Sequence, residues 1–169
     1  MVNKKILDLL IRYKAVEFGD FTLASGVKSK YYVDVKTAIM KPELLSEIAK
    51  EVSDNYDFDV IAGVAVGGVP LATAVSLTSM KPCAIIRASA KDHGKADTII
   101  GDVKGKHVLL IEDVTTSGGS SKYGVDQLRA AGAFVDSVVV IVDREGGGEE
   151  LLGKDGVALH SLIKASELI

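Results

Sequence analysis

One cysteine, Cys83, stands in a chain of 169 residues, so no internal disulfide can form. Its apolar neighbours read as the surroundings of a buried, inert thiol, which fits a reducing compartment. Excess charge of either sign is also missing: the formal net charge is −3 and the pI about 5.6, which removes any global reason to hold nucleic acid or anionic lipid. Recognition of an anion must then come from local groups. Internal repeats, low-complexity tracts and linkers are absent, so residues 1–169 read as a single domain. The opening stretch MVNKKILDLLIRYK has neither the apolar core nor the small-residue cleavage site of a signal peptide. It reads as a surface helix, and the protein as cytoplasmic.

What is present is an apolar fraction of 47%, enough to cover a central sheet on both faces. Val60 to Met80 runs without a charge for about the ~20 residues of a membrane-spanning helix. Gly63, Gly67, Gly68 and Pro70 break that run into a strand-like half and a helix-like half, and a buried strand followed by a buried helix is the better reading. Helical spacing predicts a first helix over Lys4 to Tyr13 capped by Asn3, and a second from Pro42 with Leu45, Ile48, Ala49 and Val52 inward. Between them Phe18 to Leu23 and Tyr31 to Val35 read as a hairpin. Continuous apolar runs follow at Val60 to Val66, Cys83 to Ile86, Val108 to Ile111 and Phe134 to Val142, the pattern of strands buried on both faces. Pro70 to Leu77 and Ser120 to Ala131 are the crossover helices, and Val157 to Leu162 is an edge strand. The fold class is therefore α/β, a central and mostly parallel sheet flanked by helices. Arg87 to Lys106 interrupts this rhythm with a long polar connection leaving the carboxyl end of a strand, a candidate lid.

The most informative segment is HVLLIEDVTTSGGSS, from His107 to Ser121. An apolar strand enters two carboxylates, then hydroxyls and glycines, then a helix. Thr115, Thr116, Ser117 and Ser120 can donate to an anion, Gly118 and Gly119 let backbone N–H groups close on it, and the helix N-terminus adds partial positive charge. That combination is a phosphate cradle. It is not a Walker A loop, since the Gly-Lys-Ser/Thr ending is missing. Glu112 and Asp113 would repel a bare phosphate, so a ligand carrying a diol beside its phosphate suits them, as ribose 5-phosphate does. An acidic cap on an ordinary Ser/Thr/Gly turn is the plainer alternative.

This segment resembles the 5-phosphoribosyl 1-diphosphate (PRPP) binding motif of type I phosphoribosyltransferases. FTLASGVKSKYYVD (Phe21 to Asp34) and RASAKDHG (Arg87 to Gly94) are similar to the N-terminal hairpin and catalytic loop of the orotate phosphoribosyltransferase family. GVAVGGVPLA (Gly63 to Ala72) resembles that family's diphosphate turn, and IVDREGG (Ile141 to Gly147) its base-side strand end. The resemblance implies a hood over residues 1–40 and a PRPP-binding core over 60–162. It implies that Glu112, Asp113, Val114, Thr115, Thr116, Ser117, Gly118, Gly119 and Ser120 hold PRPP, and that Arg87, Lys91 and His93 neutralise the departing diphosphate with Mg²⁺ carried mainly by the substrate. Thr116 and Arg144 would meet orotate, and lid residues would be shared across a homodimer, with neither nucleic acid nor membrane as a partner. On spacing alone, Lys91 and His93 fit a solvated loop equally well. Of Tyr31 and Tyr32, alternation along a strand lets at most one stack on the base, leaving the other for the core. Ala24, Gly67 and Ala88 stand where many bacterial members of the family carry lysines, so three cations are missing. Transfer to adenine, hypoxanthine or uracil, and a PRPP-sensing regulator, are the competing expectations.

Overall fold

The computed structural model describes residues 3–23, 26–89 and 97–169. Helix α1 (Lys4–Arg12) starts where the Asn3 side chain accepts from the Ile6 N–H, and it buries Ile6, Leu9 and Leu10. Strands β1 (Val16–Thr22) and β2 (Lys28–Val33) form an antiparallel hairpin whose register slips between Phe18 and Phe21. Helices α2 (Val35–Ile39) and α3 (Pro42–Asn55) lead into β3 (Val60–Val64), α4 (Gly68–Ser79) and β4 (Cys83–Ile86). After β5 (Ile99–Ile100) come β6 (Val108–Thr115), α5 (Gly119–Ala130), β7 (Ser137–Asp143), α6 (Gly148–Gly153) and β8 (Ala158–Lys164).

The main sheet has the order β5-β4-β3-β6-β7-β8, parallel except where β5 runs against β4. Alternate residues of each strand feed two separate cores. Ile61, Leu109, Ile111, Val139 and Ile141 pack against α1 to α4, whereas Val60, Ala62, Val64, Leu110 and Val138 pack against α5 and α6. Each fully buried Leu or Ile contributes roughly 1.5–3 kcal/mol, so a strand such as β6 is fixed from both sides before any ligand is considered. The chain leaves β3 toward β4 on one side and returns to β6 on the other. The crevice above the carboxyl ends of β3 and β6 is thus the topological switch point, where sheets of this kind bind ligands.

The glycines of the first crossover have a packing role. A Cβ on Gly63 would stand 2.3 Å from the Gly68 carbonyl oxygen, and one on Gly68 would stand 2.8 Å from the Gly63 Cα and 3.0 Å from the Ile111 carbonyl oxygen. The start of α4 is therefore seated backbone-on-backbone against β3 and β6. The turn before it contains a cis peptide between Ala65 and Val66.

Several expectations change in detail. The uncharged run does divide into β3 and α4, and among the described residues no helix is long and apolar enough to cross a membrane. Val35 opens a short helix instead of ending the hairpin, because the Asp34 carboxylate accepts from the Thr37 N–H and caps α2. Leu44, not Leu45, is the fully buried leucine of α3. Cys83 is half-buried, not sealed in the core. Phe134 lies outside β7 and is exposed, joined to the sheet by an isolated bridge to His107. Within the polar connection Ile99–Ile100 adds an edge strand, and α6 forms where glycine-rich sequence gave no helical signal. The middle of the candidate lid, with Lys91 and His93, lies outside the described residues, as does Ala24.

Candidate functional site at the end of the central strand

Strand β6 continues past its apolar half, so Glu112, Asp113, Val114 and Thr115 are strand residues with alternating side chains. Glu112 is turned toward α5. One carboxylate oxygen accepts from the Ser120 hydroxyl and the other from Ser121, each at 3.0 Å. Burial raises its pKa, against the pull of those two hydrogen bonds, and the neighbouring Asp113 charge adds to the rise.

Asp113 is turned the other way, toward α2 and the turn before α4. A Cβ on Gly67 would fall 2.5 to 2.7 Å from its carboxylate atoms, so turn and acid are nearly in contact. The Lys36 ammonium stands 2.8 Å from Asp113 Oδ2. Lys36 is the charged group set against this buried oxygen, which takes no other hydrogen bond among the described residues. A buried acid held by one lysine of another element, with hydrogen-bonding capacity left over, suits a site that a ligand hydroxyl completes. The Asp113 carboxylate in turn holds the Lys36 pKa above its usual value.

Beyond Thr115 the chain turns through Thr116, Ser117 and Gly118 into α5. Gly118 adopts φ +87°, a conformation glycine allows freely, and a Cβ there would also press 3.0 Å from Gly148 Cα. No side chain caps α5, so its first N–H groups face the turn free for an anion. Thr116, Ser117, Gly119 and Ser120 are exposed around it, whereas Thr115 is buried beneath Gly148 and Val114 half-buried on the α1–α4 side. The Ser120 hydroxyl is engaged with Glu112 in this state.

Arg144 leaves the end of β7, as expected of a residue on the same rim. Its N–H donates to the Thr115 carbonyl at 2.8 Å, and its guanidinium lies 5.8 Å from the centre of the Tyr31 ring. Asp143, buried, accepts from the Glu145 N–H at 2.8 Å and supports a turn in which Glu145 takes φ +61°. Gly146 permits this turn to close on its neighbour, since a Cβ there would meet Thr116 Cγ2 at 2.7 Å. Thr116, Arg144 and Tyr31 thus converge. Tyr32 joins neither base side nor core: it is exposed and packs 5.6 Å from Phe21. Arg87 is half-buried at the end of β4, its N–H bonded to Thr98 and its carbonyl to the Tyr123 hydroxyl, so the polar connection departs from a fixed point. Lys36, Asp143 and Gly146 were not singled out by sequence. Asp34-x-x-Thr37 was the available sign of the helix that carries Lys36.

A family model described as a phosphoribosyl transferase domain matches residues 37–157. The chain is 76% identical over 169 residues to an orotate phosphoribosyltransferase of Methanocorpusculum labreanum, covering 100% of this chain and 99% of that one. Among solved structures it superposes with TM-score 0.85 and 32% identity on orotate phosphoribosyltransferase from Aeropyrum pernix, covering 96% and 95% of the two chains. The Mycobacterium tuberculosis orotate phosphoribosyltransferase in complex with PRPP gives TM-score 0.78 and 27% identity over 97% and 96%.

Proposed function

From the premise that the chain belongs to the orotate phosphoribosyltransferase family, we propose that it transfers ribose 5-phosphate from PRPP to N1 of orotate, giving orotidine 5′-phosphate and diphosphate for pyrimidine biosynthesis. The observation that carries this reading is the end of β6, where the Asp113 carboxylate, held among the described residues by Lys36 alone, and the uncapped turn of α5 stand together at the switch point.

Asp113 accepts a ribose hydroxyl directly, and Glu112 joins it when a hydroxyl displaces one of its serines. Thr116, Ser117 and the N–H groups at Gly118 to Ser120 enclose the 5′-phosphate. Arg144 pairs with the orotate carboxylate, a task suited to a planar guanidinium. The carboxylates favour positive character at C1′ as the bond to diphosphate loosens, while Arg87, Lys91 and His93 stabilise charge on the leaving group. Among the described residues no three His, Cys, Asp or Glu side chains are grouped to hold a metal ion. A hard carboxylate such as that of Asp113 suits Mg²⁺ brought by the diphosphate, and the ion would supply further charge neutralisation there.

In this reading residues 1–40 are the hood and 60–162 the core of one domain, acting in the cytoplasm. Exposed Met40, Leu77 and Met80 support a homodimer, since they leave apolar surface that a second copy would cover.

Mixing the purified protein with PRPP, Mg²⁺ and orotate consumes orotate, read as loss of its ultraviolet absorbance. Adenine, hypoxanthine and uracil run in parallel give no product. Consumption of another base with orotate untouched transfers the assignment to that base. Lys91→Ala lowers turnover more than PRPP affinity if the lysine acts on the leaving group in the transition state, and equal losses contradict that role.

A further inference from the structure

Gly67 leaves the turn between β3 and α4 without a side chain, yet the space beside Asp113 is not empty of charge. Lys36 reaches it from another element, α2, with its ammonium 2.8 Å from Asp113 Oδ2. A side chain at position 67 would begin inside the Asp113 carboxylate, at 2.5 Å from its oxygen, so the two routes to this spot exclude one another while Asp113 keeps its place.

An ammonium has three donors, and Asp113 uses at most one. Lys36 keeps 57% of its side chain exposed and lines the same cleft as Val66, Gly67, Val69 and Pro70, a space of about 490 Å³. Gly67 precedes the uncapped first turn of the twelve-residue α4. A ribose placed with its hydroxyls on Asp113 and its 5′-phosphate at the start of α5 directs C1′ away from α5, toward this turn. Lys36 is the one charged residue among those that line this cleft, and its ammonium has no second acidic partner among the described residues.

We infer that Lys36, carried on α2 beside Asp113, binds the C1′ diphosphate of PRPP. This rests on the ribosyl-transfer reading and adds a leaving-group ligand to it. Lys36 is a substrate-binding residue in this scheme, and Asp113 is its anchor.

Calorimetric titration of PRPP and of ribose 5-phosphate into wild type, Lys36→Gln and Lys36→Arg tests it. Losing a charge-assisted contact weakens PRPP binding to Lys36→Gln by about tenfold or more, whereas ribose 5-phosphate, lacking the diphosphate, changes by less than about threefold. Lys36→Arg recovers most of the PRPP affinity. Unchanged PRPP affinity in Lys36→Gln, or equal weakening of both ligands, overturns the assignment and leaves Lys36 as a counter-ion of Asp113 alone. Failure of the wild-type protein to bind PRPP sinks the ribosyl-transfer reading itself, a result distinct from either.

Discussion

Glu112 and Asp113 are adjacent, equally acidic and both buried, yet the fold treats them in opposite ways. Glu112 is satisfied within the protein by two serines of α5. Asp113 faces a lysine carried on another element and a glycine turn it almost touches. The difference follows from strand alternation, which sends neighbours to opposite faces of the sheet. It teaches that adjacent acids can differ in kind, one tied into the scaffold and the other left facing the crevice beside the Gly67 turn.

The sharpest way to break that distinction is to remove each acid. Asp113→Ala lowers kcat/KM for PRPP by about 1000-fold, from the loss of charged hydrogen bonds to the sugar, while the urea midpoint does not fall. A clear fall in stability would place Asp113 with the scaffold. Gly67→Ala keeps the acid but displaces it, and kcat/KM drops about tenfold or more because the carboxylate must move aside. Glu112→Ala behaves differently, costing roughly 1–3 kcal/mol in urea denaturation by leaving the fully buried Ser121 hydroxyl without its acceptor.

The smallest effect lies in pH. Since burial raises the Glu112 pKa, the folded protein binds that proton more tightly than the unfolded chain. Its penalty on folding is absent below the ordinary value of 4.5 and complete above the raised one, so this group's contribution worsens as pH climbs through that window. Glu112→Gln does not titrate, and its urea midpoint gains on wild type as pH rises above the ordinary value of 4.5. A constant gap between the two would contradict the raised pKa.

Architecture was readable because apolar runs such as Val108 to Ile111 obey a local rule, burial on both faces, that needs no knowledge of distant residues. The turn from Thr116 to Ser120 into α5 was readable for the same reason, since it is made by one contiguous stretch of chain. Pairings across the chain were not. Nothing near Lys36 in sequence announces Asp113, and the two meet only because α2 and the end of β6 lie on the same side of the sheet. Arg144 was placed correctly by its position after a buried strand. The support of its turn by Asp143, and the close approach of Gly146 to Thr116, depend on the sheet being assembled. Tyr32 went astray because alternation says which faces differ but not whether either is covered.

The interlocked glycines at the start of α4 have a consequence for how this enzyme can diversify. With main chain resting on main chain at Gly63 and Gly68, neither position can accept a new side chain, and the loop they brace cannot be re-aimed cheaply. Under the proposed ribosyl transfer, adjustment of affinity for the leaving group therefore falls to contributors lodged in other parts of the chain. Such contributors can be exchanged one at a time while the frame stays put.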